Sequence, residues 1–263
     1  MRIPYFHVDA FASEPFHGNP AGVCPLDKWL SDDVLQKIAA EHNLSETAFF
    51  AREQEYYRLR WFTPAMEVDL CGHATLASAF VLFSELGFQG DSIRFESRSG
   101  TLIASRRGEL IELDFPSRPP EPCVTPPDLV KALGREPREV LRSRDYFAVF
   151  DSQEEVAALT PDFDLLMKMD CLGIIVTARG SDSDFVSRFF APRAGIDEDP
   201  VTGSAHCSLI PFWAARLGKA ELFARQISRR GGALWCQHLG DRVGIGGRAV
   251  IYGQGKVHVP DHA

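Results

Sequence analysis

The chain repeats itself. Residues 60–87, RWFTPAMEVDLCGHATLASAFVLFSELG, return in degenerate form as residues 188–218, RFFAPRAGIDEDPVTGSAHCSLIPFWAARLG. Gly72 and Gly203, which open the apolar run of each copy, are 131 positions apart, and so are Gly87 and Gly218, which close it. A repeat of this kind restricts the chain to two similar units, because each copy carries its own apolar segment and needs its own core. With 263 residues there is enough chain for two modest cores.

Each apolar run predicts a helix buried on every side: Ala74, Leu76, Ala77, Ala79, Phe80, Val81, Leu82 and Phe83 in the first copy, Leu209, Ile210, Phe212, Trp213, Ala214, Ala215 and Leu217 in the second. The first N–H groups of such a helix have no intrahelical partner and, with the macrodipole, favour an anion. Gly72 and Gly203 let a ligand approach the backbone there, so the two openings are expected to serve one anion-binding crevice between two halves. Pro211 lies inside the second run, removes a donor and predicts a kink.

The rest of the chain reads around these helices. Residues 3–11 alternate as a strand, 13–25 are dense in turn residues and read as a loop or broken edge, and 30–42 form a helix with Ser31 as N-cap and Val34, Leu35, Ile38 and Ala39 on one face. Strands follow the polar stretch at 43–47, and residues 93–115 give hairpins turning at Gly100 and Gly108, which recur 132 positions on as Gly232 and Gly240. The proline-rich run 116–127 reads as the linker. After it come a helix at 127–133, a strand at 146–150, a helix at 162–169 and strands at 173–178 and 185–190. The fold class is therefore α+β: two pseudo-symmetric domains, 1–117 and 118–263, each a barrel-like, mostly antiparallel sheet around a central buried helix, with strand 248–259 expected to pair back onto the first.

A net charge of −8 argues against nucleic acid or an anionic membrane as partner, and no apolar span is of membrane length. The opening, MRIPYFHVDAFAS, lacks the features of a secretory leader, and six scattered cysteines without a C-x-x-C pair read as reduced thiols, so a cytoplasmic location is expected.

A residue needed only for the fold should recur in both copies. Glu46 lies 18 residues before Pro64, and the residue 18 before Pro192 is Ile174, so Glu46 is an asymmetric element. Its neighbours Leu44, Ala48, Phe49 and Phe50 are expected to desolvate the carboxyl and favour proton transfer. The competing reading, a capping box over Asn43–Glu46, needs a helix where the following residues look like strands. His73 follows the first helix opening, where the dipole should bias it toward the neutral form, unless it is merely a core or capping histidine. Asp199 precedes the second opening, with Asp197 and Glu198 as rivals, and Ser204 either binds substrate or caps its helix. Zinc spacings, a G-x-S-x-G elbow, a P-loop, a dinucleotide fingerprint and an identifiable PLP lysine are missing, so no metal or cofactor is expected.

Together VDAFASEPFHGNPAGVCPL, NLSETAFF, RWFTPAMEVDLCGHATLA and FFAPRAGIDEDPVTGSAH resemble the phenazine-biosynthesis-like (PhzF-like) proteins, similar in fold to diaminopimelate epimerase. The match runs in order along nearly the whole chain. The resemblance implies an active site in the cleft between two similar domains, no cofactor, and commonly a homodimer. In the characterised isomerase of this family a glutamate of the S-E-T motif shuttles a proton on a dihydro-hydroxyanthranilate ring, and that position is Glu46. The C-G-H histidine corresponds to His73, the D-P-x-T-G-S aspartate to Asp199, and Gly72, Gly203 and Ser204 fall where the family holds its substrate's carboxylate. Related amino-acid epimerases use two facing cysteines. The matching positions are Cys71 and Thr202, which speaks against a two-thiol racemase.

The expectation is a cofactor-independent isomerase moving a proton on a small carboxylate-bearing metabolite, with Glu46, His73 and Asp199 catalytic. The alternatives are a scaffold that binds a metabolite or protein without turnover, and an epimerase using Cys71 alone.

Overall fold

A computed structural model describes residues 1–260, which form two compact units: residues 1–114 with 246–260, and residues 115–245. The first half runs β1 (Arg2–Ala10), β2 (Asn19–Leu26), α1 (Asp32–His42), β3 (Glu46–Glu53), β4 (Tyr56–Phe62), β5 (Glu67–Val68), α2 (Gly72–Phe80) with a π-helical turn Val81–Glu85, β6 (Ser92–Ser97), β7 (Gly100–Arg107) and β8 (Leu110–Pro116). There follow β9 (Glu121–Pro122), α3 (Pro127–Leu133), β10 (Glu139–Arg142), β11 (Tyr146–Val149), α4 (Gln153–Ala158), α5 (Phe163–Leu166), β12 (Ile174–Arg179), β13 (Phe185–Ala191), β14 (Ile196–Asp199), α6 (Gly203–Leu217), β15 (Glu221–Gln226), β16 (Gly232–Leu239) and β17 (Arg242–Gly247). The last strand, β18 (Ala249–His258), pairs antiparallel along β1.

In the first unit α2 is buried on all sides, His73 through Ala79, among β1, β2, β3, β7 and β18. On the other face α1 packs Val34, Leu35, Ile38 and Ala39 against Cys24, Phe49 and Phe62. Each fully buried Leu or Phe contributes about 1.5–3 kcal/mol. The second unit repeats the scheme: α6 is buried from Ala205 to Ala214, and α3, α4 and α5 cover the outer face of β11, β12 and β13 with Leu129, Leu133, Val156 and Leu166.

The repeat also fixes which contacts belong to the fold. Arg60 grips Glu67 bidentately (Nε–Oε1 2.7 Å, Nη2–Oε2 2.8 Å) above the Phe62 ring. Arg188 grips Glu198 in the same way (2.7 and 2.9 Å) above Phe190. A buried guanidinium–carboxylate fork found at the same place in both copies is architectural.

Several expectations are corrected. Residues 13–25 are not all loop, since Pro15 lies in a turn but β2 begins at Asn19 and holds Pro20 and Pro25. The strand is flanked on both sides only at Ala21–Val23; Pro20 pairs with β1 alone and Pro25 with β3 alone, so neither proline's missing N–H breaks a two-sided ladder. The linker is partly structured, with β9 pairing to β10. The helix expected at 162–169 shrinks to Phe163–Leu166, while β10, α4 and β14 carry too few residues to show a period. At the β15–β16 turn the left-handed glycine is Gly231, one place before Gly232. Helix α6 is continuous across Pro211, as the apolar run predicts. The carbonyl this proline cannot serve, that of Cys207, accepts the Arg118 N–H at 2.8 Å from the linker.

The strand registers move the counterpart of Glu46 by one residue. Phe49 lies opposite Arg60 and Val176 opposite Arg188, which equates Glu46 with Gly173 rather than Ile174. Ile174 points instead into the outer core with Val176. Gly173 has no side chain, and a Cβ there would fall 2.1 Å from the Phe189 ring. Where the first copy places a carboxylate, the second has filled the space with an aromatic ring.

Candidate functional site

Glu46 is the first residue of β3, held by parallel pairing to Ala21 of β2, and His73 is the second residue of α2. This arrangement puts Glu46 Oε2 3.2 Å from His73 Nε2, with the side chains 15% and 6% exposed. The two groups stand at ion-pair separation, and Glu46 Oε2, otherwise buried, has His73 Nε2 as its partner. Asn19, fully buried in β2, places its amide nitrogen 3.1 Å from His73 Nδ1. With that nitrogen donating, Nδ1 accepts and the imidazole proton sits on Nε2, facing Glu46. On protonation Nδ1–H would need an acceptor: the Asn19 amide turned over, or Cys71 Sγ at 3.5 Å.

Burial alone would disfavour the His73 imidazolium, but Cys71 and Glu46 beside it hold its pKa well above the ordinary value. Burial pushes the Cys71 thiol itself up to about 11, so it is neutral near neutral pH and the Glu46 carboxylate is the charge that matters. The expected bias of His73 toward the neutral form is thereby reversed: a carboxylate at contact distance outweighs the helix dipole.

Among the described residues, Glu46, Cys71 and His73 form a group whose donor atoms lie within 4.8 Å of one another, as a metal site would require. A cation there would displace the protons of Cys71 and of His73 Nε2 on binding, and the same short separations allow proton exchange between Glu46 and His73.

The upward shift of the Cys71 thiol weakens the reading of this residue as sole catalytic thiol. Cys71, Cys24, Cys207 and Cys236 are buried, whereas Cys123 and Cys171 are partly exposed. Iodoacetamide near neutral pH is expected to label Cys123 and Cys171 first, read by peptide mass spectrometry. Labelling of Cys71 at a comparable rate would restore the thiol mechanism.

In the second unit the three rival acids separate. Glu198 is taken by Arg188, Asp197 is exposed, and Asp199 Oδ2 accepts the Thr202 hydroxyl at 2.6 Å. Gly203 and Ser204 open α6, and the Ser204 hydroxyl accepts from Arg144 Nη2 at 3.2 Å. Arg144 also donates to the buried carboxylate of Asp145, which receives the Gly173 N–H at 3.1 Å. Asn19 and Arg144 escape sequence reasoning: Asn19 lies in a stretch dense in turn residues, and Arg144 lies between the helix expected at 127–133 and the strand expected at 146–150. The only available signal was a polar residue just ahead of a run of apolar strand residues.

His206, fully buried one turn into α6, donates from Nδ1 to the Thr202 carbonyl at 2.8 Å and keeps Nε2 as a buried lone pair without a partner. Burial lowers its pKa from 6.5 to about 4. Between those values the unfolded chain binds the proton and the folded chain does not, so stability falls as pH drops through that window. The loss attributable to this group is about 3 kcal/mol. Urea unfolding at the two ends should show that much less acid sensitivity in His206→Gln than in wild type, and equal sensitivity would contradict the assignment.

No helix among the described residues is long and apolar enough to cross a membrane. A family model described as phenazine biosynthesis-like protein matches residues 8–255. A Pseudomonas aeruginosa protein named an uncharacterized isomerase is 54% identical over 259 residues, covering 98% of this chain and all of its own length. A crystal structure of an Enterococcus faecalis protein of the PhzF family superposes with a TM-score of 0.97 at 49% identity, covering 98% of this chain and 100% of that one. At the level of fold alone, a hydroxyproline epimerase from Agrobacterium vitis gives a TM-score of 0.60 at 12% identity, over 97% of this chain and 92% of its own.

Proposed function

This chain belongs to the phenazine biosynthesis-like protein family and is an isomerase of it, and on that premise we propose that it moves a proton on a small carboxylate-bearing metabolite without a cofactor, with Glu46 as the general acid and base. Glu46 takes the proton from an activated carbon and returns it, or its replacement, elsewhere on the same molecule. His73, held by Asn19, steadies the carboxylate while it is charged and can pass a proton through Nε2. We assign Gly72, Gly203 and Ser204 to the substrate's carboxylate and Asp199 to orienting the reacting group.

One observation carries this reading: a buried carboxylate whose partner is an imidazole nitrogen 3.2 Å away, at a place where the second copy has Gly173 packed against the Phe189 ring. Structural carboxylates in this chain are gripped, as Glu67 and Glu198 are by their arginines. Glu46 is paired instead with an imidazole, a partner that can exchange a proton with it.

Incubating the protein in D2O with cyclic and amino carboxylates, dihydro-hydroxyanthranilate among them, and reading label by mass spectrometry tests it. Carbon-bound deuterium in at least one compound is expected. Thermal stabilisation by a compound that never takes up label would instead favour a binding protein.

A further inference from the structure

The second copy holds a hydrogen-bonded clamp that the first copy lacks. Gln226, the last residue of β15 and 1% exposed, directs its whole side chain at the loop that leads into α6. Oε1 accepts the Thr202 N–H at 2.8 Å, and Nε2 donates to the Asp199 carbonyl at 2.8 Å and to Thr202 Oγ1 at 3.1 Å. A backbone N–H can only donate, so the amide orientation is unambiguous and Nε2 is fixed as the donor. With that donor filling a lone pair on Oγ1, the Thr202 proton is directed onto Asp199 Oδ2, 2.6 Å away. The chain of bonds runs one way, amide to hydroxyl to carboxylate.

The internal repeat separates this clamp from ordinary loop fastening. Ser228 holds the carbonyl of Pro200 at 2.8 Å, and Ser99 holds that of Asp69 at 2.6 Å at the matching place in the first copy, so that contact belongs to the fold. Gln226 has no such twin. It lies opposite Gly232, as Ser97 lies opposite Gly100, and Ser97 turns its hydroxyl into its own hairpin, to the Gly100 carbonyl at 2.9 Å. Thr202 occupies the place of Cys71. The second copy thus departs from the first at a set of linked positions, all directed at Asp199.

We propose that Gln226 is a positioning residue for the reaction, acting through the Thr202 hydroxyl to hold Asp199 as an oriented, hydrogen-bond-accepting carboxylate. This rests on the proton-transfer reading above and adds the division of labour within it: Glu46 carries the proton, and Asp199 is held in one orientation.

The test uses Gln226→Met, which keeps the volume and loses all three bonds, Gln226→Glu, which keeps the acceptor for the Thr202 N–H, and Thr202→Val. The Thr202 hydroxyl makes no capping bond to α6, so its removal spares the helix. In Gln226→Met, NMR amide exchange at Thr202 should quicken roughly tenfold or more, while Gln226→Glu keeps it slow. Deuterium labelling of dihydro-hydroxyanthranilate, or failing that of whichever screened carboxylate the wild type labels, should lose kcat roughly 10- to 100-fold with KM little changed in Gln226→Met. Thr202→Val should lose a similar factor, and the double variant should be no worse than the worse single one. Additive losses, an unchanged kcat or unchanged amide exchange would overturn the proposal and leave Glu46 untouched. A wild type that labels nothing would remove the function and this proposal together.

Discussion

Replacing Glu46 with Gln should lower solvent deuterium exchange into a turned-over carboxylate about a thousandfold while leaving its binding nearly intact. General acid–base groups contribute roughly 10²- to 10⁴-fold, and the amide keeps the volume but cannot take the proton. Because the interaction is lost in the transition state and not in the ground state, the loss should fall on kcat with little change in KM. A second readout needs no substrate. The Glu46 carboxylate is the charge that supports the His73 imidazolium against burial, so in Glu46→Gln the histidine should titrate well below its wild-type position, followed by NMR of the ring nitrogens. Undiminished exchange would remove Glu46 from its role. An unmoved His73 would show that the pair is not electrostatically linked.

The largest effect on stability is expected at Gly18. Its φ is +66°, and a Cβ there would lie 2.1 Å from the Ala10 carbonyl oxygen and 2.9 Å from Ala12 Cβ, between the backbones of β1 and β2. Gly18→Ala should cost about 3 kcal/mol or more, a fall of roughly 6–12 °C in Tm. Gly87 is the control, with φ +67° and nothing within 4 Å of its would-be Cβ, so Gly87→Ala should cost only about 1 kcal/mol. Similar losses in the two variants would mean that the left-handed backbone, not the collision, dominates. Since Gly18 precedes Asn19, the partner of His73 Nδ1, Gly18→Ala should also lose labelling activity while still folded at low temperature.

Much of this architecture is written in the repeat. Two all-apolar segments with matched opening and closing glycines demand two cores, and the face of α1 follows from its spacing of Val34, Leu35, Ile38 and Ala39. What sequence could not show has physical causes. Pro20 and Pro25 argue against a strand unless it is known that each faces only one neighbour. Counting back from Pro64 and Pro192 misses the counterpart of Glu46 by one residue, since only the ladder shows which face a strand residue takes. The charge of His73 depends on a carboxylate 27 positions earlier in sequence, which local helix-dipole reasoning omits. Gln226 belongs to no motif and meets Asp199 only through the parallel pairing of β13 and β15.

The most direct test is a crystal structure of Glu46→Gln with a carboxylate that the wild type labels. The labelled carbon is expected within hydrogen-bond reach of the amide that replaces the Glu46 carboxyl, with the ligand carboxylate against the N–H groups at Gly72 or Gly203. A ligand bound elsewhere, or one whose labelled carbon faces Cys71 or Asp199 and not position 46, would contradict the assignment of Glu46 as the acid and base.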